Sequence, residues 1–171
     1  LIEKLSVSPV VARLLARLGF DDPDQADEFL NCSINRLDDP SRISHLDDAV
    51  GRISRAIDQR QDILVFGDYD VDGVTAVALF VLVLRHLGAR PRYAVPRRFS
   101  EGYGLSHEAL DRVLKDGNPD LFVTLDCGTN SVDQIARLRK LGIDVIIADH
   151  HRSKEGREAD ATIVNPHVYD G

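Results

Sequence analysis

From residue 62 onward, short apolar runs alternate with longer segments, and this rhythm constrains the fold more than any other feature of the chain. DILVF (62–66), RYAVP (92–96), DLFVTLD (120–126), DVIIAD (144–149) and ATIVNP (161–166) have the length and composition of strands. Between them stand VTAVALFVLVLRHLG (74–88), SHEALDRVLKDG (106–117) and SVDQIARLRKLG (131–142). The first predicts a mostly buried helix stopped by Gly88, and the second a helix capped by Ser106. Strand and helix in this order predict an α/β fold: a parallel sheet of about five strands, flanked by helices, with right-handed crossovers.

Residues 1–60 read differently. Val10, Val11, Leu14, Leu15 and Leu18 recur at helical spacing after Pro9, with Gly19 as a stop. DDPDQADEFL opens a second helix with an acidic first turn and an early proline. A third is expected near 46–60, with Leu46, Ala49, Val50, Ile53 and Ile57 on one face. The expectation is therefore a short helical N-terminal segment over 1–60 packing on the core, followed by an α/β domain over 61–171.

Composition narrows the function classes. With 43% hydrophobic and 29% charged residues, the 171-residue chain is globular rather than disordered. No apolar run approaches the roughly 18 residues of a membrane span, so no membrane association is expected. No signal peptide is recognisable at the start. Two cysteines, Cys32 and Cys127, make no disulfide framework and favour a reducing, cytoplasmic setting. The chain starts at Leu1 and contains no methionine, which reads as an excerpt of something longer. A net charge of -7 argues against nucleic-acid binding driven by overall charge, though not against a local basic patch.

In open parallel sheets, ligands bind beyond the carboxyl ends of the strands. Asp68, Asp70 and Asp72 follow the first strand in GDYDVDG, Asp126 follows the third, and Asp149-His150-His151 follow the fourth. Three strands thus deliver carboxylates or imidazoles to one rim. Carboxylates so gathered repel unless a cation neutralises them. Oxygen ligands with imidazole suit Mn²⁺ or Mg²⁺, and the number of ligands suffices for two ions, the usual apparatus of phosphoester hydrolysis. A calcium loop is the competing reading of DYDVDG. It requires a glutamate at loop position 12, where this chain has Leu79. A bare acidic turn, or a response-regulator-like acidic pocket, would not call for the paired histidines. Cys127 invites a nucleophilic role, but no partner spacing supports one, and a small buried cysteine behind a ligand is the better reading.

GDYDVDG, PRRFSEGYGL, LDCG, ADHH and IVNP, in this order, resemble the DHH phosphoesterases, and within them the RecJ-like single-strand-specific exonucleases. The resemblance implies that Asp70 and Asp72 ligate metal, with Asp68 a ligand or its immediate support. It implies that Asp126 bridges two Mn²⁺ or Mg²⁺ ions and that His150 completes one coordination sphere. Asp149 would orient the neighbouring imidazole, and His151 would sit near the scissile phosphate. Arg98, and less directly Arg97, would contact substrate phosphate. The implied activity is a 5′→3′ exonuclease on single-stranded DNA, in repair and recombination, releasing 5′-mononucleotides. A single-strand-binding protein and a helicase are implied as partners. A further acidic ligand and a second domain would lie beyond Gly171. Two alternatives remain: a DHH hydrolase of short oligoribonucleotides, cyclic dinucleotides or pyrophosphate, and a non-catalytic replication scaffold.

Overall fold

The computed structural model describes residues 1–33, 35, 37–154 and 159–168. The RSKEGREAD stretch after the paired histidines, and the end of VNPHVYDG, therefore fall partly outside the described residues. The chain divides into two compact units, residues 1–39 and 40–171.

The first unit holds helices α1 (Ile2–Leu5), α2 (Pro9–Arg17) and α3 (Pro23–Leu30). Proline opens both longer helices, and Ser8 and Asp22 cap them by accepting the N–H groups of Val11 and Asp24. Of the helically spaced residues of α2, Leu15 is buried, whereas Val10, Leu14 and Leu18 are exposed. Phe20 and Phe29 close this unit with ring centroids 4.6 Å apart.

The second unit opens with a 3₁₀ turn at Pro40–Arg42 and helix α4 (Leu46–Asp58). There follow β1 (Ile63–Gly67), α5 (Val71–His86), β2 (Arg92–Ala94), α6 (His107–Val113) and β3 (Leu121–Leu125). Helix α7 (Val132–Lys140), β4 (Asp144–Ala148) and β5 (Thr162–Val164) complete it. The sequence places a boundary at residue 60, but α4 lies within the second unit because Ala49 and Ala56 are buried in the core cluster formed with β1 and β3. Val50, expected on that inner face, is exposed.

Among the described residues five strands form one sheet, all parallel, in the order β2-β1-β3-β4-β5. The residues of β1 and β3 are buried on both faces, as a sheet covered on each side requires. Leu64, Phe66, Phe122, Val145 and Ile147 pack with Ala109 and Leu110 of α6 and Ile135 and Leu138 of α7. Ile63, Val65, Val123 and Ile146 pack on the opposite face with α4 and with Val77, Val81 and Leu84 of α5. The period-two alternation of side chains in β1 thus divides its residues between two cores. Helix α5 is not mostly buried as its composition predicts. Leu79, Leu82 and Val83 are exposed, because a helix on a sheet buries only the stripe that faces it.

The strand order doubles back at β1: the chain passes outward to β2, then returns across β1 to β3. The carboxyl ends of β1 and β3 therefore flank the switch point, where the two following loops diverge and leave a crevice.

Candidate functional site

Asp68 directly follows β1 and is fully buried. Its backbone lies against Gly73 in the first turn of α5, where a Cβ would stand 2.5 Å from the Asp68 carbonyl oxygen. Gly67 is equally tight, with a Cβ position 2.3 Å from Val77 Cγ2 and 2.9 Å from the Gly73 carbonyl oxygen. Two glycines thus let α5 begin immediately behind the end of β1. Asp70 caps that helix, its Oδ1 accepting the Gly73 N–H at 3.0 Å. Asp72 is exposed on the first turn.

Asp126 follows β3 in the left-handed region, at φ 59°, and is 8% exposed. Its Oδ1 lies 2.9 Å from His150 Nε2. Asp149, after β4, is buried and accepts N–H groups from Thr129 (3.1 Å), His150 (2.8 Å) and His151 (3.1 Å). It also holds His151 Nδ1 at 2.7 Å. Asp149 therefore orients a ring and ties the β3 and β4 loops together, which is how outer carboxylates commonly support a metal site. Asn165 completes the frame, donating to Thr129 Oγ1 (3.0 Å) and to the His151 carbonyl (2.9 Å).

The electrostatics follow the burial. Desolvation raises the pKa of Asp126, the nearby Asp70 carboxyl raises it further, and His150 offsets part of this. Asp70 is lowered, chiefly by the Gly73 N–H. Asp68 is raised by burial, against a bond from the Tyr69 N–H at 2.6 Å. Burial acts to raise Asp149 as well, but its hydrogen bonds from Thr129 and His151 outweigh that and hold it low. The bond to Asp149 raises His151. Burial pushes the Cys127 thiol well above its ordinary range, so it is packing rather than a nucleophile at neutral pH.

One observation bears directly on a metal. Asp68 Oδ2 and Asp126 Oδ2 are buried without a hydrogen-bond partner among the described residues, although Tyr103 and Gly104 interact with the Asp68 carboxyl and Asp70 with that of Asp126. Stranded carboxylate oxygens are costly unless something compensates them. Asp126, His150 and His151 offer ligand atoms within 4.8 Å of one another. Hard oxygen and imidazole donors of this kind fit a divalent cation such as Mn²⁺ or Mg²⁺.

Tyr103 is a participant that the residue types alone did not single out. Its hydroxyl lies 3.2 Å from His151 Nε2, and its ring meets Tyr69 edge-on at 5.8 Å. Burial and the charges of Asp68, Asp70 and Asp126 push its phenol up to about 12, so it remains a donor at neutral pH. The guanidinium of Arg98 stands over the Tyr69 ring at 5.4 Å. Arg97 is exposed, and its N–H is held by Glu101 at 2.8 Å.

The site stands among known relatives. Residues 62–170 match the model of the DHH family, N-terminal domain. The chain is 37% identical over 166 residues to the single-stranded-DNA-specific exonuclease RecJ of Bacillus subtilis (strain 168), covering 97% of this chain and 21% of that protein. A crystal structure of exonuclease RecJ bound to manganese superimposes with a TM-score of 0.70 at 32% identity, covering 78% of this chain and 34% of that one. A crystal structure of RecJ from Thermus thermophilus in complex with Mn²⁺ matches with a TM-score of 0.65 at 28% identity, over 96% of this chain and 22% of that one. The chain thus spans about a fifth of the length of the Bacillus relative. With a parallel sheet whose strand ends carry the acidic motif, Asp126 and the Asp149-His150-His151 triplet, and with these matches, the chain belongs to the DHH family.

Proposed function

We propose that this chain carries the metal-dependent phosphodiesterase site of a single-stranded-DNA exonuclease that degrades 5′→3′ and releases 5′-mononucleotides, in DNA repair and recombination. The observation that carries the reading is the pair of buried oxygens, Asp68 Oδ2 and Asp126 Oδ2, without a hydrogen-bond partner among the described residues, on the rim that also holds His150 and His151. Asp68, Asp70, Asp72, Asp126 and His150 are the residues proposed to hold two Mn²⁺ or Mg²⁺ ions. Such ions, when bound, supply water activation and charge neutralisation on the phosphoryl oxygens.

The remaining roles belong to the chain's own side chains. Asp149 fixes the His151 ring through Nδ1, leaving Nε2 on the Tyr103 side at the rim, where a reacting phosphate is proposed to lie. Arg98, held over Tyr69, supplies local positive charge in an acidic protein, with Arg97 beside it. The polarity and the mononucleotide product rest on the likeness to RecJ. So do the cytoplasmic setting and the partners, a single-strand-binding protein and a helicase.

The test is cleavage of 5′-labelled single-stranded DNA with Mn²⁺, compared with duplex DNA and with dinucleotides. The reading predicts mononucleotide release from the single strand, abolished by Asp126→Ala in a protein that still folds. Full activity of Asp126→Ala would refute the metal assignment, and cleavage of dinucleotides alone would move the substrate to short oligonucleotides.

A further inference from the structure

The strap between β2 and α6 carries both Arg98 and Tyr103; Leu105 near its far end is buried in the core, and its first turn is pinned by an ion pair. Arg112 on α6 donates through Nε to Glu101 Oε1 at 2.5 Å and through Nη2 to Glu101 Oε2 at 2.8 Å. The same Nη2 reaches the Val95 carbonyl at 2.9 Å, where the strap begins. Glu101 Oε2 also accepts the Arg97 N–H at 2.8 Å, and the Ser100 and Glu101 N–H groups close the turn onto the Arg97 carbonyl at 3.0 and 2.8 Å. The Glu101 side chain is only 6% exposed, so this is a desolvated, two-pronged pair rather than a solvated surface contact.

Beyond that turn the backbone passes through two glycines before Leu105 enters the core. Gly102 and Gly104 flank Tyr103 at φ 78° and 69°, a region glycine enters freely and other residues rarely do. Local geometry therefore does not fix Tyr103. Its place is shared between its own contacts with Tyr69, His151 and the Asp68 carboxyl and the turn just before it, which the Arg112–Glu101 pair closes.

We infer that Arg112 and Glu101 are positioning residues, holding the strap so that Tyr103 meets His151 and Arg98 stays over Tyr69 at the carboxylate rim. The inference rests on the phosphodiesterase reading for its consequence, not for its geometry. The experiment pairs two measurements on the full chain: amide hydrogen exchange without metal, and kcat and KM on 5′-labelled single-stranded DNA with Mn²⁺.

In Arg112→Met, exchange at Gly102–Leu105 should accelerate about tenfold or more while β3 and β4 keep wild-type rates. The kcat should fall about tenfold with KM nearly unchanged, as for displaced reacting groups, and Arg112→Lys should recover part of it. A thermal shift with wild-type kcat in the folded fraction would mean a merely structural pair and would overturn the inference. Unchanged exchange would overturn it too. If Arg112→Met does not fold, Glu101→Gln is read by the same criteria. Should the wild type fail to cleave DNA, the functional reading falls, and exchange, needing neither metal nor DNA, still decides whether the pair holds the strap.

Discussion

Gly73 shows how one residue sets the site. A Cβ there would meet the Asp68 backbone nitrogen at 2.6 Å and its carbonyl oxygen at 2.5 Å. Gly73→Ala must push α5 away from β1, and a loss of about 1–3 kcal/mol, typical of overpacking, is expected in urea unfolding. Asn165 is the second such residue. Asn165→Leu would strand Thr129 Oγ1, the His151 carbonyl and the His167 N–H, which Asn165 Oδ1 accepts at 2.8 Å. A loss of about 1–3 kcal/mol for each buried group left unpaired is expected in the same measurement. The candidate ligands were legible because chemistry at strand ends needs only the strand pattern to be located. Tyr103 and Asn165 appeared in the sequence only as parts of motifs, and Thr129 lies just outside one. Their contacts span 48 residues from Tyr103 to His151 and 36 from Thr129 to Asn165, and no spacing rule reaches that far.

At the scale of elements, the amino ends of the strands are held by ion pairs. Arg52 on α4 donates to Asp144 at 2.8 Å and to Gln61 at 2.8 Å, tying that helix to β4 and to the entry of β1. Arg52→Met keeps the stem packed and removes the bonds, and it should cost about 1–2 kcal/mol of stability. The pair also has a pH signature. The bonds from Arg52, then from Arg139, hold Asp144 below its ordinary 3.8, and Arg112 holds Glu101 below 4.5. A carboxylate lowered in the folded state adds stability that is fully present above its unfolded value. That stability is lost as pH falls through the folded value. The contribution of these two carboxylates to thermal unfolding midpoints should therefore be level above about pH 5 and drop below about pH 4.5, and Asp144→Asn should flatten the lower part of that drop. Element order and type followed from the apolar rhythm. The face that each helix buries did not, since α4 turns Ala56 inward and Val50 outward.

Across the whole molecule, the parallel sheet turns a scattered set of residues into one rim. The switch point beside β1 brings Asp68 and Asp126 to adjacent strand ends, although they are far apart in the chain, through the pairing of Gly67 with Leu125. The same architecture leaves the outer face of α5 apolar, beside a groove of about 580 Å³ lined by Val74, Ala78, Leu82 and Tyr93. Because Leu79 and Leu82 are exposed, Leu79→Gln and Leu82→Gln should each change stability by less than about 0.5 kcal/mol, read by thermal unfolding. No helix among the described residues is long and apolar enough to cross a membrane, so this face is not a span. Whether the rim holds divalent metal is decided by calorimetric titration of the folded chain with Mn²⁺. Two ions should bind at low-micromolar affinity or tighter, and Asp126→Ala should lose that binding with its circular dichroism unchanged. Absence of Mn²⁺ binding by the folded wild type, or equal binding by Asp126→Ala, would contradict a metal centre at these strand ends.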